Sequence, residues 1–161
     1  MQINELQQLL GMHPELDVLS QELSKKGSKH FLLKGLYASA RAVILHSLAA
    51  RLTTHNKGNV CFIVLDNADD AQYLYADLRT LGNENEVYYF PTPHRRRQGI
   101  DEAMAVQRTE VLTALAHHQA GNPPLIIITY PEAIAEAVPA VDTLKQQTIS
   151  LQVEQTISIS H

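Results

Sequence analysis

The chain is short of cysteine, of long apolar runs and of positive charge, and each shortage excludes a class of protein. Its one cysteine, Cys61, lies in an apolar run and can form no internal disulfide, which fits a reducing cytoplasm. No stretch reaches the about 18 consecutive apolar residues of a membrane span. The N-terminus lacks the basic start and apolar run of a signal peptide. A net charge of −4 excludes a surface that attracts nucleic acid as a whole.

What remains is the composition of an ordinary globular protein. The 161 residues are 45% hydrophobic and 19% charged, enough for one domain with a sizeable core.

Apolar runs and helical patterns alternate along the middle of the chain, which predicts an α/β fold with a mostly parallel sheet. The run at residues 60–65 is almost continuously apolar, which predicts a parallel strand covered on both faces. We predict strands at residues 30–34, 60–65, 86–90 and 125–129, helices at residues 39–53, 68–81, 101–118 and 131–138, and a polar loop at residues 91–99.

Both ends of the chain differ from this alternating middle part. Two short amphipathic helices, broken near Gly11 and Pro14, form an N-terminal segment, residues 1–28, that we expect to pack on the core. We expect residues 29–147 to form the α/β domain. In residues 148–161 polar and apolar residues alternate, as in a half-buried strand pair, and we expect them to open a further subdomain of a longer protein.

Residues 35–42 lie where a nucleotide-binding fold would carry its phosphate loop, G-x-x-x-x-G-K-[ST]. Gly35 fits the first position. Ala40 stands in place of the second glycine, Arg41 in place of the lysine, and Ala42 in place of the hydroxyl residue that binds magnesium. Ser39 is the one candidate nucleophile in this stretch, and the sequence supplies no base for it.

The three replacements remove different parts of the chemistry. Alanine hinders the close approach of the backbone to phosphate, the planar arginine fork fits the loop poorly, and alanine cannot coordinate magnesium. Together they argue against ATP turnover. An ordinary strand-turn-helix connection is the alternative. A divergent ATPase or helicase-like domain, with Arg41 on phosphate, is a further alternative, but residues 125–130 carry no acid where the strand ends.

A dense cationic run, His94, Arg95, Arg96 and Arg97, follows the third predicted strand. It suits contact with a phosphate backbone or with an acidic partner surface. The alternative is a solvated loop whose arginines pair with acids such as those at residues 101–102. No aromatic residues are interleaved to stack bases, which weakens a single-strand interpretation.

Neither the acid pairs nor the histidines predict a metal or catalytic centre. Asp69-Asp70 and Asp101-Glu102 each fall in the first turn of a predicted helix, where acids favour the helix dipole. The eight histidines lack the spacing and the partners of a metal site, so we predict no metal and no cofactor.

Five segments, taken in order, carry a resemblance to a known family: residues 34–42, 66–78, 90–91, 107–112 and 128–134. They resemble the N-terminal module of the bacterial transcription-repair coupling factor, Mfd. In that family the corresponding stretches look like G-L-x-G-S-A-x-A, a DN-x-E-E-A-x-x-L-x-x-D-L helix, F-P, R-x-x-x-L and V-T-Y-P-E-A-L. The order and spacing match over nearly the whole chain.

The resemblance implies a RecA-like, P-loop NTPase-like three-layer domain, similar to the first domain of the helicase subunit UvrB, with a degenerate phosphate loop. It implies a non-catalytic role without cofactors, in transcription-coupled nucleotide excision repair. The family's module recruits UvrA, and it packs against the rest of its own polypeptide to restrain activity until RNA polymerase is engaged. Contact with RNA polymerase and DNA, and ATP-driven translocation, belong to other domains of that polypeptide.

The chain departs from the family's full module and from UvrB itself. The family's UvrA-contacting subdomain follows the segment at residues 128–134, and here only residues 148–161 correspond to its opening. We therefore expect UvrA recruitment to need a continuation of the chain. About ten residues separate Phe90 from the next helix, too few for the long DNA-gripping hairpin of UvrB, so we do not expect DNA binding by strand insertion.

Overall fold

The computed structural model describes residues 5, 9, 11–55, 60–81, 86–93, 95–96, 99–100, 102–119 and 121–139. Of residues 53–55, 86, 95–96 and 99–100 it describes the backbone alone. The helices are α1 (Pro14–Ser24), α2 (Ala40–His55), α3 (Ala68–Leu81), α4 (Glu102–His117) and α5 (Pro131–Ala135). The strands are β1 (Val60–Val64), β2 (Glu86–Tyr89), β3 (Arg95–Arg96), β4 (Gly99–Ile100) and β5 (Leu125–Thr129).

The main sheet confirms the predicted mixed α/β class and its mostly parallel pairing. Three strands lie in the order β1-β5-β2, and both pairings are parallel. Phe62 on β1, Ile127 on β5 and Tyr88 on β2 lie side by side in the register. Every residue of β5 is buried, as its apolar sequence requires of a central strand.

Helix α3 has the predicted bounds, and its sequence explains both its start and its buried face. Asn67 stands just before it and accepts a hydrogen bond at Oδ1 from the backbone N of Asp70, 2.9 Å away, which caps the helix. Ala71, Leu74 and Leu78, spaced three and four residues apart, are buried in the core cluster with β5.

The strand predicted at residues 30–34 is wrong. The backbone there pairs with no other described strand, and Phe31, Leu32 and Leu33 are exposed by 44%, 78% and 48%. An apolar run supplies β propensity, but a strand also needs a neighbour to satisfy its backbone groups. A phosphate loop follows directly on a strand of the sheet. Residues 35–42 therefore differ from one, because no strand of the described sheet precedes them.

The prediction that the run at residues 60–65 is covered on both faces is also wrong. Val60, Phe62 and Val64 are exposed by 44%, 52% and 49%, whereas Cys61 and Ile63 pack against the core from the other face. β1 lies at the edge of the described sheet. One of its two faces is exposed there, whereas both faces of the central strand β5 are buried.

Two further boundaries differ from prediction. The loop predicted at residues 91–99 contains an antiparallel pair, with Arg95 opposite Ile100 and Arg96 opposite Gly99. Helix α5 ends at Ala135 rather than near residue 138, because Glu136 turns to an extended conformation with ψ of 134°.

The N-terminal helix α1 lies against α2. Leu19 forms a small buried cluster with Leu48 and Leu52 of α2. Arg51 ties the two together, since its Nε donates to Asp17 Oδ1 at 2.8 Å and its guanidinium also donates to the carbonyl of Gly11. Within the described residues, no helix is both long enough and apolar enough to cross a bilayer.

Candidate functional site

The turn at residues 35–42 leads directly into α2, as the phosphate-loop hypothesis requires. Gly35 has a φ of +80°, which glycine adopts without cost. Ala38 has a φ of 46°, a left-handed conformation that a residue with a Cβ adopts only at about 1–2 kcal/mol. Ser39 stands before the first helical residue, and its carbonyl accepts from Val43 N at 3.2 Å.

Two backbone donors of this turn are already engaged. Ala40 N donates to the carbonyl of Tyr37 at 3.1 Å, and Arg41 N donates to the carbonyl of Ala38 at 3.3 Å. A phosphate loop needs such amides to point at the ligand. Two donors at the positions of the missing glycine and lysine are instead used to close the turn.

The residue at the magnesium position faces the wrong way for that role. Ala42 is 0% exposed and belongs to the main core cluster with β5 and α3. A hydroxyl that binds a nucleotide-bound cation has to face the nucleotide. The backbone of this turn therefore directs position 42 into the apolar interior, independently of which side chain stands there.

A cleft of about 290 Å³ lies beside the turn. Ala38, Ser39 and Arg41 line it from the turn, and Asp70, Tyr73, Leu74 and Asp77 line it from α3. Two carboxylates therefore share the cleft with Arg41. Because a triphosphate carries several negative charges, these acids repel it in a partly desolvated cleft.

A second polar centre, which sequence reasoning missed, lies at the carboxyl end of the main sheet. Arg108 of α4 is 6% exposed. Its Nη1 donates to the carbonyl of Pro91 at 2.7 Å and to that of Ala133 at 3.1 Å, and its Nη2 donates to that of Glu136 at 3.5 Å. The guanidinium carbon also lies 4.0 Å from the centre of the Phe90 ring.

Hydrogen bonds of tyrosine and threonine complete this centre. Tyr130 Oη accepts from the backbone N of Thr92 at 2.9 Å, and Thr129 Oγ1 donates to the carbonyl of Phe90 at 2.9 Å. Burial and the hydrogen bond with Tyr130 raise the pKa of Tyr89 above its ordinary range. Tyr89 is therefore a neutral hydrogen-bonding group near neutral pH.

The charge of Arg108 is balanced by carbonyl dipoles. Burial lowers its pKa, while the nearby Glu136 and Tyr130 raise it; an arginine remains a cation under these conditions. No carboxylate of the described residues lies within ion-pair distance of it. The sequence offered one signal for this site. Arg108 interrupts an otherwise apolar face of α4, and Val111, about one helical turn further along the same face, is also buried.

Of the predicted cationic run, the structure describes only the backbone of Arg95 and Arg96, which forms β3. His94 and Arg97 lie outside the described residues, as does Asp101, one of the acids considered as a partner. The two-stranded unit of β3 and β4 is here called the arginine hairpin. Two residues of sequence separate it from Thr92. It is therefore attached at the carboxyl end of β2.

Other chemistry-bearing residues of the described chain do not form a centre. Cys61 is partly buried, and burial raises the pKa of its thiol. An open groove of about 900 Å³ runs along α4 beside Tyr88, and both His117 and His118 line it. No group of three or more His, Cys, Asp or Glu side chains in the described residues could hold a metal ion.

The turn at residues 35–42 and the centre around Arg108 are thus the two candidate sites of the described residues. Comparisons of the sequence with family models and curated proteins, and of the structure with solved structures, find no match.

Proposed function

We propose that this chain is a non-catalytic docking module of RecA-like, three-layer type, with the role that the N-terminal module has in transcription-repair coupling factors. It docks against the rest of its own polypeptide to restrain it, and it serves as a scaffold for UvrA recruitment through a continuation of the chain. Its turn at residues 35–42 is a phosphate-loop relic that holds no nucleotide.

One observation carries the proposal: the turn at residues 35–42 is built for packing. The amides of Ala40 and Arg41 close the turn, and Ala42 lies in the core. Asp70 and Asp77 line the cleft in which the phosphates would lie. These features support a relic more strongly than the three sequence differences alone, because changing the side chains back would leave the backbone donors engaged.

Calorimetric titration of the chain with Mg-ATP and Mg-ADP tests the first half of the proposal. We expect no saturable heat, and a micromolar dissociation constant would overturn it. Arg41→Ala is the matched variant. If wild type shows weak heat that persists in this variant, the heat arises elsewhere than at the turn.

A pull-down with purified UvrA tests the second half. We compare the 161-residue chain with a chain extended by roughly 60–90 residues, the size of a small added subdomain. Retention of UvrA by the longer chain alone is the expected result. If neither retains UvrA, the recruitment role fails while the nucleotide result stands.

A second candidate function is contact with DNA through the arginine hairpin. One observation favours it: β3 follows closely on β2, at the carboxyl end of a parallel sheet, where open α/β sheets bind their ligands. Replacing Arg95, Arg96 and Arg97 by alanine should lower the slope of log affinity against log salt by about 0.9 for each DNA phosphate that these arginines neutralise. Lys26→Ala, which removes an exposed cation after α1, is the control and should leave the slope unchanged.

A further inference from the structure

Arg108 joins two chain segments that leave the same end of the sheet in different directions. On one side it bonds the carbonyl of Pro91, which follows β2. On the other it bonds the carbonyls of Ala133 and Glu136, where α5 ends. These segments are separated by more than 40 residues of sequence, and no other side chain of the described residues is shown bonding to both.

The guanidinium suits this task and an ammonium does not. Its donors lie in one plane with fixed directions, so three carbonyls have to take up defined positions around it. The ring of Phe90 lies against its face and excludes water from that side. Because the buried cation depends on these carbonyls, displacing either segment leaves charge unsatisfied.

The position that Arg108 fixes is transmitted over short lengths of chain. Tyr130 Oη accepts a hydrogen bond from the backbone N of Thr92, the residue after Pro91. In the sequence, only Pro93 and residue 94 separate Thr92 from the arginine hairpin. Beyond Glu136 the chain continues through residues 137–139, which are exposed. Arg108 therefore bonds each segment within a few residues of the end of β2 or of α5.

We propose that Arg108 is a positioning residue that fixes the arginine hairpin relative to the chain leaving α5. The purpose of this positioning rests on the proposed docking function, because a docking module has to hold both of these segments in one orientation. The positioning itself concerns the chain alone, however, and is tested without any partner.

Hydrogen exchange of the intact chain, read by mass spectrometry, tests the proposal in Arg108→Lys and Tyr130→Phe. Arg108→Lys should raise exchange at least about tenfold in the peptides that carry the hydrogen-bonded amides of Thr92 on one side and of Ala133 and Ile134 on the other, relative to the amides of α3. Tyr130→Phe, which removes only the tie to Thr92, should raise exchange only in the peptide that carries Thr92. Thr109→Ala, at an exposed neighbouring position on α4, should change neither.

Uniform acceleration across the chain in Arg108→Lys would show a general loss of stability and would overturn the proposal, as would acceleration in one segment only. If Arg108→Lys does not fold, Arg108→Gln replaces it, since its amide nitrogen carries only two donors for the three carbonyls and buries no charge. A rise in the same two segments supports the proposal, and no rise overturns it. Retention of UvrA is a separate measurement, so failure of docking and failure of positioning are distinguishable.

Discussion

Replacing Ile127 and Phe62 by alanine, one at a time, separates the buried centre of the sheet from its edge. The two residues are register partners on β5 and β1. Ile127 is 0% exposed and Phe62 is 52% exposed. Judged by size alone, the phenylalanine should cost more free energy of unfolding when truncated. Judged by burial, the order reverses.

The magnitudes follow from the area that each side chain removes from water. Truncating a fully buried isoleucine costs about 2–5 kcal/mol, and we expect about 3–4 kcal/mol here because β5 is enclosed by two strands and cannot collapse into the cavity. A fully buried phenylalanine costs about 3–5 kcal/mol. With half of its surface already in water, Phe62→Ala should cost about 1–2 kcal/mol.

Urea unfolding followed by circular dichroism measures both changes, with equal m-values as the check that the unfolded states are comparable. In melting temperature the expected losses are about 6–16 °C for Ile127→Ala and about 2–8 °C for Phe62→Ala. If Phe62→Ala costs as much as Ile127→Ala at every protein concentration, the outward face of β1 is covered in solution, and the exposure assigned to Phe62 is refuted.

Two further predictions concern a helix cap and a partly buried histidine. Asn67→Ala should lower the free energy of unfolding by about 1 kcal/mol, because the backbone N of Asp70 loses its acceptor. Asn67→Ser should restore most of it in the same urea assay, because a serine hydroxyl can accept the same bond without adding a charge beside Asp70. An unchanged midpoint in the alanine variant would contradict the cap. Burial lowers the pKa of His46, so the unfolded chain binds a proton more readily than the folded one, and stability should fall as pH falls through about 6.5. His46→Gln should reduce the loss of stability measured between about pH 8 and about pH 5.5, and an equal loss in both proteins would contradict this reasoning.

Elements that depend on local sequence could be predicted well. Helix α3 has its predicted bounds, since a capping residue, acids in the first turn and a repeating apolar face all lie within the segment itself. Strand β5 was placed correctly for a similar reason, because the apolar and mostly β-branched run at residues 125–128 favours a strand over a few neighbouring residues.

The candidate sites were only partly accessible from sequence. The altered residues of the turn at 35–42 could be read directly, but the inward direction of Ala42 and the acids of the cleft depend on how α2 and α3 pack. Arg108 was missed as a functional residue because its three acceptors are backbone carbonyls, which every residue carries and no pattern marks.

The sequence by itself determined the class of the fold, the helices and the central strand, because these depend on propensity, capping and periodicity over a few neighbouring residues. The tertiary structure alone decided that the run at residues 30–34 pairs with no described strand, that β1 has one exposed face, and that Arg108 joins two distant segments. The physical reason is common to all three. Strand pairing, burial and hydrogen bonding to a carbonyl depend on which residues lie beside each other in space. The order of residues along the chain does not by itself tell which distant residues these are.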